Sequence, residues 1–169
     1  MNKIGASLRL VALAAAISAG LAGCNNSVHS VDIAETIEGI ASDGIGIANT
    51  TLAIVDAQKQ VIEDVTTDEN GRFRFNPGSH AYPFMLSIST NGKTYYSLLT
   101  GSDRQVNINA ATTVISQLAL NTSQLANAQS AATFKTITID QIAQAENIYL
   151  RAMRADSQLA SQLFDLSPR

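Results

Sequence analysis

Between Glu35 and Ile108 the apolar residues come in short runs with a period of two, and turn formers interrupt them every eight to twelve residues. Leu52 and Ile54 alternate with Thr51 and Ala53, and Phe73 and Phe75 alternate with Arg72 and Arg74, so one side of each run predicts core and the other predicts water. Strands are predicted at 36–41, 51–55, 61–67, 72–75, 84–90, 93–99 and 105–108. The interruptions include Ser42-Asp43-Gly44, Ala57-Gln58, Asn76-Pro77-Gly78 and two Asn-Gly pairs, at 70–71 and 91–92. Asn-Gly predicts a hairpin because both residues tolerate positive φ. Seven short strands at this spacing predict a β-sandwich.

Past Ile108 the period lengthens, and Pro and Gly vanish until Pro168. A cap at Thr112 or Thr113 predicts a helix to about Ala128, with Val114, Ile115, Leu118 and Leu125 on one side. Thr138-Ile139-Asp140-Gln141 has the form of a capping box that opens a second helix. There Ile142, Ala145, Tyr149, Ala152 and Met153 recur at helical spacing, and Asp156-Ser157 predicts a break before Leu159, Leu163 and Leu166. Stripes of this kind are expected to pack on the sandwich. The predicted fold is therefore mainly β with α, a seven-stranded sandwich over 35–109 followed by an α-helical region over 110–169.

The N-terminus has another character. Lys3 and Arg9 precede a run of apolar residues at 10–19, and Leu21-Ala22-Gly23-Cys24 closes it with small side chains. This order predicts a secretory signal peptide over 1–23, and the run is shorter than the roughly 20 residues that span a bilayer. Its removal takes away two bases and no acid, leaving 9 basic side chains against 14 acidic ones. Residues 25–34 lack a period and suit a tether.

Leu21-Ala22-Gly23-Cys24 resembles the lipobox of bacterial lipoproteins. The resemblance implies that the Cys24 sulfur carries a diacylglyceryl group, that cleavage falls before it, and that the new amino group is acylated. Several acyl chains make a stable anchor where one gives only reversible binding. The residue after the cysteine is Asn25 rather than Asp, which by the same resemblance favours the outer membrane. Residues 24–34 are then a lipidated tether.

Gly39, Asp43-Gly44, the run 47–55 and the segment Thr67-Asp68-Glu69-Asn70-Gly71-Arg72-Phe73-Arg74-Phe75 resemble carboxypeptidase regulatory-like domains. That family implies a transthyretin-like sandwich of about seven strands that serves as a non-catalytic accessory or binding module. The irregular Ser79-His80-Ala81-Tyr82-Pro83 departs from its pattern, and nothing in the chain resembles a metallocarboxypeptidase catalytic domain.

Composition narrows the chemistry further. Of 169 residues 46% are hydrophobic, the formal charge is -3, and there is one Cys, two His and no Trp. The balance excludes a basic nucleic-acid binder, and a single Cys excludes a disulfide framework. Asp68, Asn70 and Gly71 suggest a calcium loop, but an EF-hand would need an acid at Thr66 and a Glu at Pro77, so Asp68 is expected to cap a turn. His80 beside Ser79 lacks a nucleophile elbow and reads as an exposed loop residue. Among Tyr82, Phe84, Tyr95 and Tyr96, at least two are expected in packing, and Tyr82-Pro83 is the expected exposed contact for a ligand or partner. No catalytic residue, metal or cofactor is expected. The function expected is a lipid-anchored envelope module that binds a protein, peptide or glycan; the alternative is an assembly factor that docks through its helical tail.

Overall fold

The computed structural model describes residues 36–101 and 103–165, with side chains as far as Ser157. The predicted signal peptide, Cys24, the tether and Leu166 lie outside the described residues, as do the side chains of Leu159 and Leu163. The fold is mixed α/β, with two antiparallel sheets and three α-helices among the described residues. A two-stranded sheet pairs β1 (Ile37–Ile40) with β4 (Arg72–Phe75). A four-stranded sheet has the order β3-β2-β5-β6, built from β2 (Leu52–Val55), β3 (Val61–Ile62), β5 (Phe84–Thr90) and β6 (Lys93–Leu99).

One apolar cluster joins the two sheets. Ile37, Phe73 and Phe75 of the small sheet share it with Leu52, Ile54, Phe84, Leu86 and Ile88 of the large one. The period-two reading of β2 and β4 holds, since Leu52, Ile54, Phe73 and Phe75 are buried while Ala53, Arg72 and Arg74 are exposed. β5 differs because every residue from Phe84 to Ile88 is buried. Its even positions face the small sheet, and its odd positions Met85 and Ser87 face the helices.

The seven predicted strands become six and a bridged segment. Residues 105–108 run parallel beside β1 through bridges Glu38↔Gln105 and Ala41↔Ile108, with Val106 N donating to Glu38 O and Ile108 N to Ile40 O, both at 2.9 Å. Gly39 permits this approach, because a Cβ there would collide with the Val106 carbonyl and the Phe73 ring. The predicted strand 61–67 is interrupted after Ile62. Asp64 takes φ +62, which no regular strand continues through, and the chain rejoins the sheet only where Thr66 bridges Thr51.

The two Asn-Gly pairs behave differently. Asn91 and Gly92 both take positive φ (50° and 74°) and close the tight β5–β6 hairpin, with Thr90 opposite Lys93. At 70–71 only Gly71 does (φ 78°), and the flanking strands belong to different sheets. The turn carries the chain across the sandwich rather than joining neighbouring strands.

The helices cover the outer face of the large sheet. Helix α1 (Ala110–Leu120) starts earlier than predicted, with Asn109 as its N-cap and Thr112 closing a capping box at the third position. It also stops earlier, because Asn121 adopts the left-handed conformation (φ 49°) and its N–H caps Gln117 and Leu118. Helix α2 (Leu125–Ala131) and a 3-10 turn at Thr133–Thr136 then set Leu125, Ala128, Ala132 and Phe134 against Met85 in a second cluster. Helix α3 (Ile139–Asp165) opens with the predicted capping box, Gln141 N donating to Thr138 Oγ1 and Thr138 N to Gln141 Oε1. It runs unbroken through Asp156-Ser157, where Ser157 Oγ donates to Arg154 O inside the helix instead of competing with it. Among the described residues no helix is long and apolar enough to cross a membrane.

Candidate functional site

With the helices on one face, the outer face of the small sheet stays open. Alternation places Glu38 and Ile40 of β1 and Arg72 and Arg74 of β4 on it, and Gln105 and Asn107 extend it on the parallel segment. A groove of about 740 Å3 lies over this face, and residues 64–68 form its far wall. Ile40, 40% exposed, is its apolar floor. Asn107 is held in place because its Oδ1 accepts Ile40 N at 3.1 Å. At the closed end Asp68 Oδ1 accepts both Asn70 N and Arg72 N at 2.8 Å, so Asp68 caps the turn as expected. Both guanidiniums are exposed, and neither forms an ion pair among the described residues.

A second polar cluster sits in the β2–β3 turn. Asp56 is wholly buried, and its Oδ1 accepts Gln58 N and Gln60 N at 2.8 Å. Its Oδ2 meets His80 Nδ1 at 3.0 Å and accepts Ala81 N at 3.4 Å. Burial opposes its charge, but the hydrogen bonds from Gln60, His80, Gln58 and Ala81 together outweigh burial and hold the carboxyl below its ordinary value. The bonds to His80 and Ala81 fasten the loop 77–83 to the turn 56–60, and those from Gln58 and Gln60 close the turn itself. His80 is thus partly buried and engaged, not the exposed loop residue predicted.

The same clasp explains where Tyr82 and Pro83 go. They were expected as an exposed contact, but Pro83 is buried and Tyr82 is half-buried, its ring packing edge-on against Phe84 at 4.7 Å. Ala57 N donates to Ala81 O at 3.1 Å, drawing the loop onto the core just before β5. Phe84 and Tyr95 also belong to the core, and Tyr96 packs on the helical side. Cys24 lies outside the described residues. No group of three or more His, Cys, Asp or Glu side chains is placed to hold a metal ion among the described residues.

The sequence signalled half of the open face. The Arg-Phe-Arg-Phe alternation marks β4 as wet on one side, whereas Glu38, Gln105 and Asn107 join it only through long-range pairing. Nothing local marks Asp56 as a buried carboxylate. No protein-family model matches the chain, and no curated protein matches it.

Proposed function

We propose that this protein is a lipid-anchored component of the cell envelope, a non-enzymatic binding module on a transthyretin-like sandwich. In this reading Cys24 carries the acyl chains, the outer membrane is favoured, and residues 24–34 hold the folded part at the membrane surface. The partner is an envelope protein, peptide or glycan. The observation that supports it is the asymmetry of the two sheets: helices occupy the outside of the large sheet, and the outside of the small sheet carries a polar groove with two guanidiniums that form no ion pair among the described residues.

A second reading, an assembly factor docking through the helical tail, is favoured by α3. From Leu150 to Ser157 every residue is exposed, and Ile148, Leu150 and Met153 are 55%, 49% and 52% exposed. Photo-crosslinking in intact cells separates the two. A crosslinking residue at Ile40 should capture an envelope component if the groove is the binding face, and one at Ile148 should do so if the helix docks. Silence at Ile40 with capture at Ile148 would replace the first reading by the second. The anchor is tested separately: Cys24→Ser should abolish fatty-acid labelling and release the protein from the membrane fraction.

A further inference from the structure

The groove borders two rows of backbone whose hydrogen-bonding groups point out of their sheets. Along β4 the direction follows from the register, in which Ala41 N donates to Gly71 O. Ala41 faces Gly71, so Gly39↔Phe73 and Ile37↔Phe75 are the pairs that exchange bonds across the small sheet. The other face of β1 agrees, since Glu38 and Ile40 carbonyls accept from Val106 N and Ile108 N on the opposite side. Arg72 and Arg74 therefore turn their N–H and C=O groups away from β1. Those of Arg72 are taken by Asp68, whose N–H donates to the Arg72 carbonyl at 2.8 Å, and those of Arg74 meet no partner among the described residues and form an open edge.

The opposite wall repeats the arrangement. Leu52 N donates to Val65 O and Thr67 N to Thr50 O, so Val65 and Thr67 bond toward β2 while Thr66 turns its N–H and C=O away from it. The two walls meet at Asp68 and Arg72 and separate as each joins its own sheet. The groove is the opening between them.

We propose that this groove accepts an extended peptide as an added strand that pairs with the open edge at Arg74, running antiparallel to β4 with a carboxylate side chain opposite Arg74 and its end stopped where Asp68 closes Arg72. This rests on the reading of the open face as the binding face. Strand addition uses the peptide backbone for affinity and alternate side chains for selectivity. A residue opposite Arg74 exchanges both backbone bonds with it and projects its side chain on the same face as the guanidinium. An acid there completes a charge-assisted pair. Glu38 on β1 and Asp64 and Asp68 on the far wall repel a ligand that is anionic all over, so the site selects acids on one side of a strand rather than a polyanion. A glycan is disfavoured because the one ring in the groove, Phe73, is turned into the core.

The test uses the full chain in detergent and a fluorescent heptapeptide alternating Glu and Val. Binding should weaken at least tenfold when both arginines are changed, Arg72→Ala with Arg74→Ala, and when Lys replaces Glu in the peptide. N-methylation at the Glu residues, whose N–H groups face β4, should abolish binding, whereas N-methylation at the Val residues should not. The Arg74 amide should exchange its hydrogen more slowly in the complex. Because both arginines are exposed, the double variant should keep the wild-type melting temperature. Binding that tolerates N-methylation at Glu, or an acidic oligogalacturonate that competes while Arg74 exchange stays fast, would overturn strand addition and leave the face as an anion site. Failure of the binding face itself shows instead as the absent crosslink at Ile40.

Discussion

The buried carboxylate of Asp56 meets the imidazole Nδ1 of His80 at 3.0 Å, joining the turn after β2 to the loop before β5. The two residues are 24 apart in sequence, and the contact fixes where Tyr82 and Pro83 enter the core. Replacing Asp56 by Ala leaves the N–H groups of Gln58, Gln60 and Ala81 without their acceptor. Gln58 and Gln60 are exposed, so water replaces part of what is lost, and at about 1.5–3 kcal/mol for a hydrogen bond to a charged group Asp56→Ala should cost on the order of 2 kcal/mol, measurable by denaturant unfolding.

The same carboxylate predicts an acid dependence. Its pKa in the folded protein lies below the ordinary 3.8, so its stabilisation is complete above that value and is lost as pH falls through the folded value. The stability gap between wild type and Asp56→Asn should therefore be constant near neutrality and shrink on acidification below about pH 4. A gap that stays constant down to about pH 2 would show that the carboxylate charge contributes nothing.

Helix α1 is fastened to the edge of the large sheet by two adjacent threonines. Thr113 Oγ1 accepts Tyr96 N at 2.9 Å, and Thr112 Oγ1 donates to Tyr96 O at 2.8 Å while accepting Asn109 N. These bonds satisfy part of the β6 edge, which would otherwise be open to another strand. Thr113→Val keeps the shape and removes the acceptor, so it should destabilise by about 1 kcal/mol, and Thr112→Val by about 2, since it also breaks the capping box. Equal, negligible shifts in both melting curves would mean that the helix is held by apolar packing alone.

Two glycines with nearly the same backbone separate strain from close approach. Gly71 (φ 78°) and Gly92 (φ 74°) both disfavour a side chain, but a Cβ at Gly92 meets nothing within 4 Å. At Gly71 it would strike the Ala41 carbonyl and approach Gly46 Cα and Ile47 N at 2.8 Å. Gly92→Ala should cost about 1–2 kcal/mol from conformation, whereas Gly71→Ala should exceed it by at least about 1 kcal/mol. Equal costs would show that the backbone around Gly71 gives way easily.

The strands were legible in the sequence wherever a side-chain alternation survived into a half-buried strand, as in Leu52–Val55 and Arg72–Phe75. Phe84–Thr90 was legible as an apolar run bounded by turns. What local pattern could not supply was the partner of each strand. Asn70-Gly71 reads as a hairpin, yet β4 pairs with β1, because burying Phe73 and Phe75 opposite the large sheet requires β4 to change layers. The helix boundaries moved for a similar reason. Asn109, not Thr112 or Thr113, is the cap, since the two threonines are drawn to Tyr96 across the sheet edge. The candidate site suffered most: the loop expected to be exposed is fastened by Asp56, a contact visible only in three dimensions.

Residues of α2 and the 3-10 turn pack on the large sheet, whereas the side chains at 150–157 of α3 are all exposed, and truncation should reveal the boundary. Leu125, Ala128, Ala132 and Phe134 cover Met85, and Gln129 Nε2 donates to the carbonyls of Ala53 (3.2 Å) and Met85 (3.0 Å). A chain ending at Asn109 uncovers this face of β5 and β6. At about 25 cal/mol per Å2, several hundred Å2 of lost apolar burial amounts to several kcal/mol, comparable with the whole stability of a small domain. That form should aggregate or melt without cooperativity. Ending the chain at Tyr149 keeps buried Ala145 and removes residues of which 150–157 are all exposed, so its melting temperature should stay close to that of the full chain. A cooperative fold in the shorter form, or collapse of the longer one, would show that the division between packed and projecting helix is misplaced. If the longer form folds normally and has lost an in-cell crosslink otherwise formed at Ile148, the projecting half of α3 is a docking element distinct from the groove.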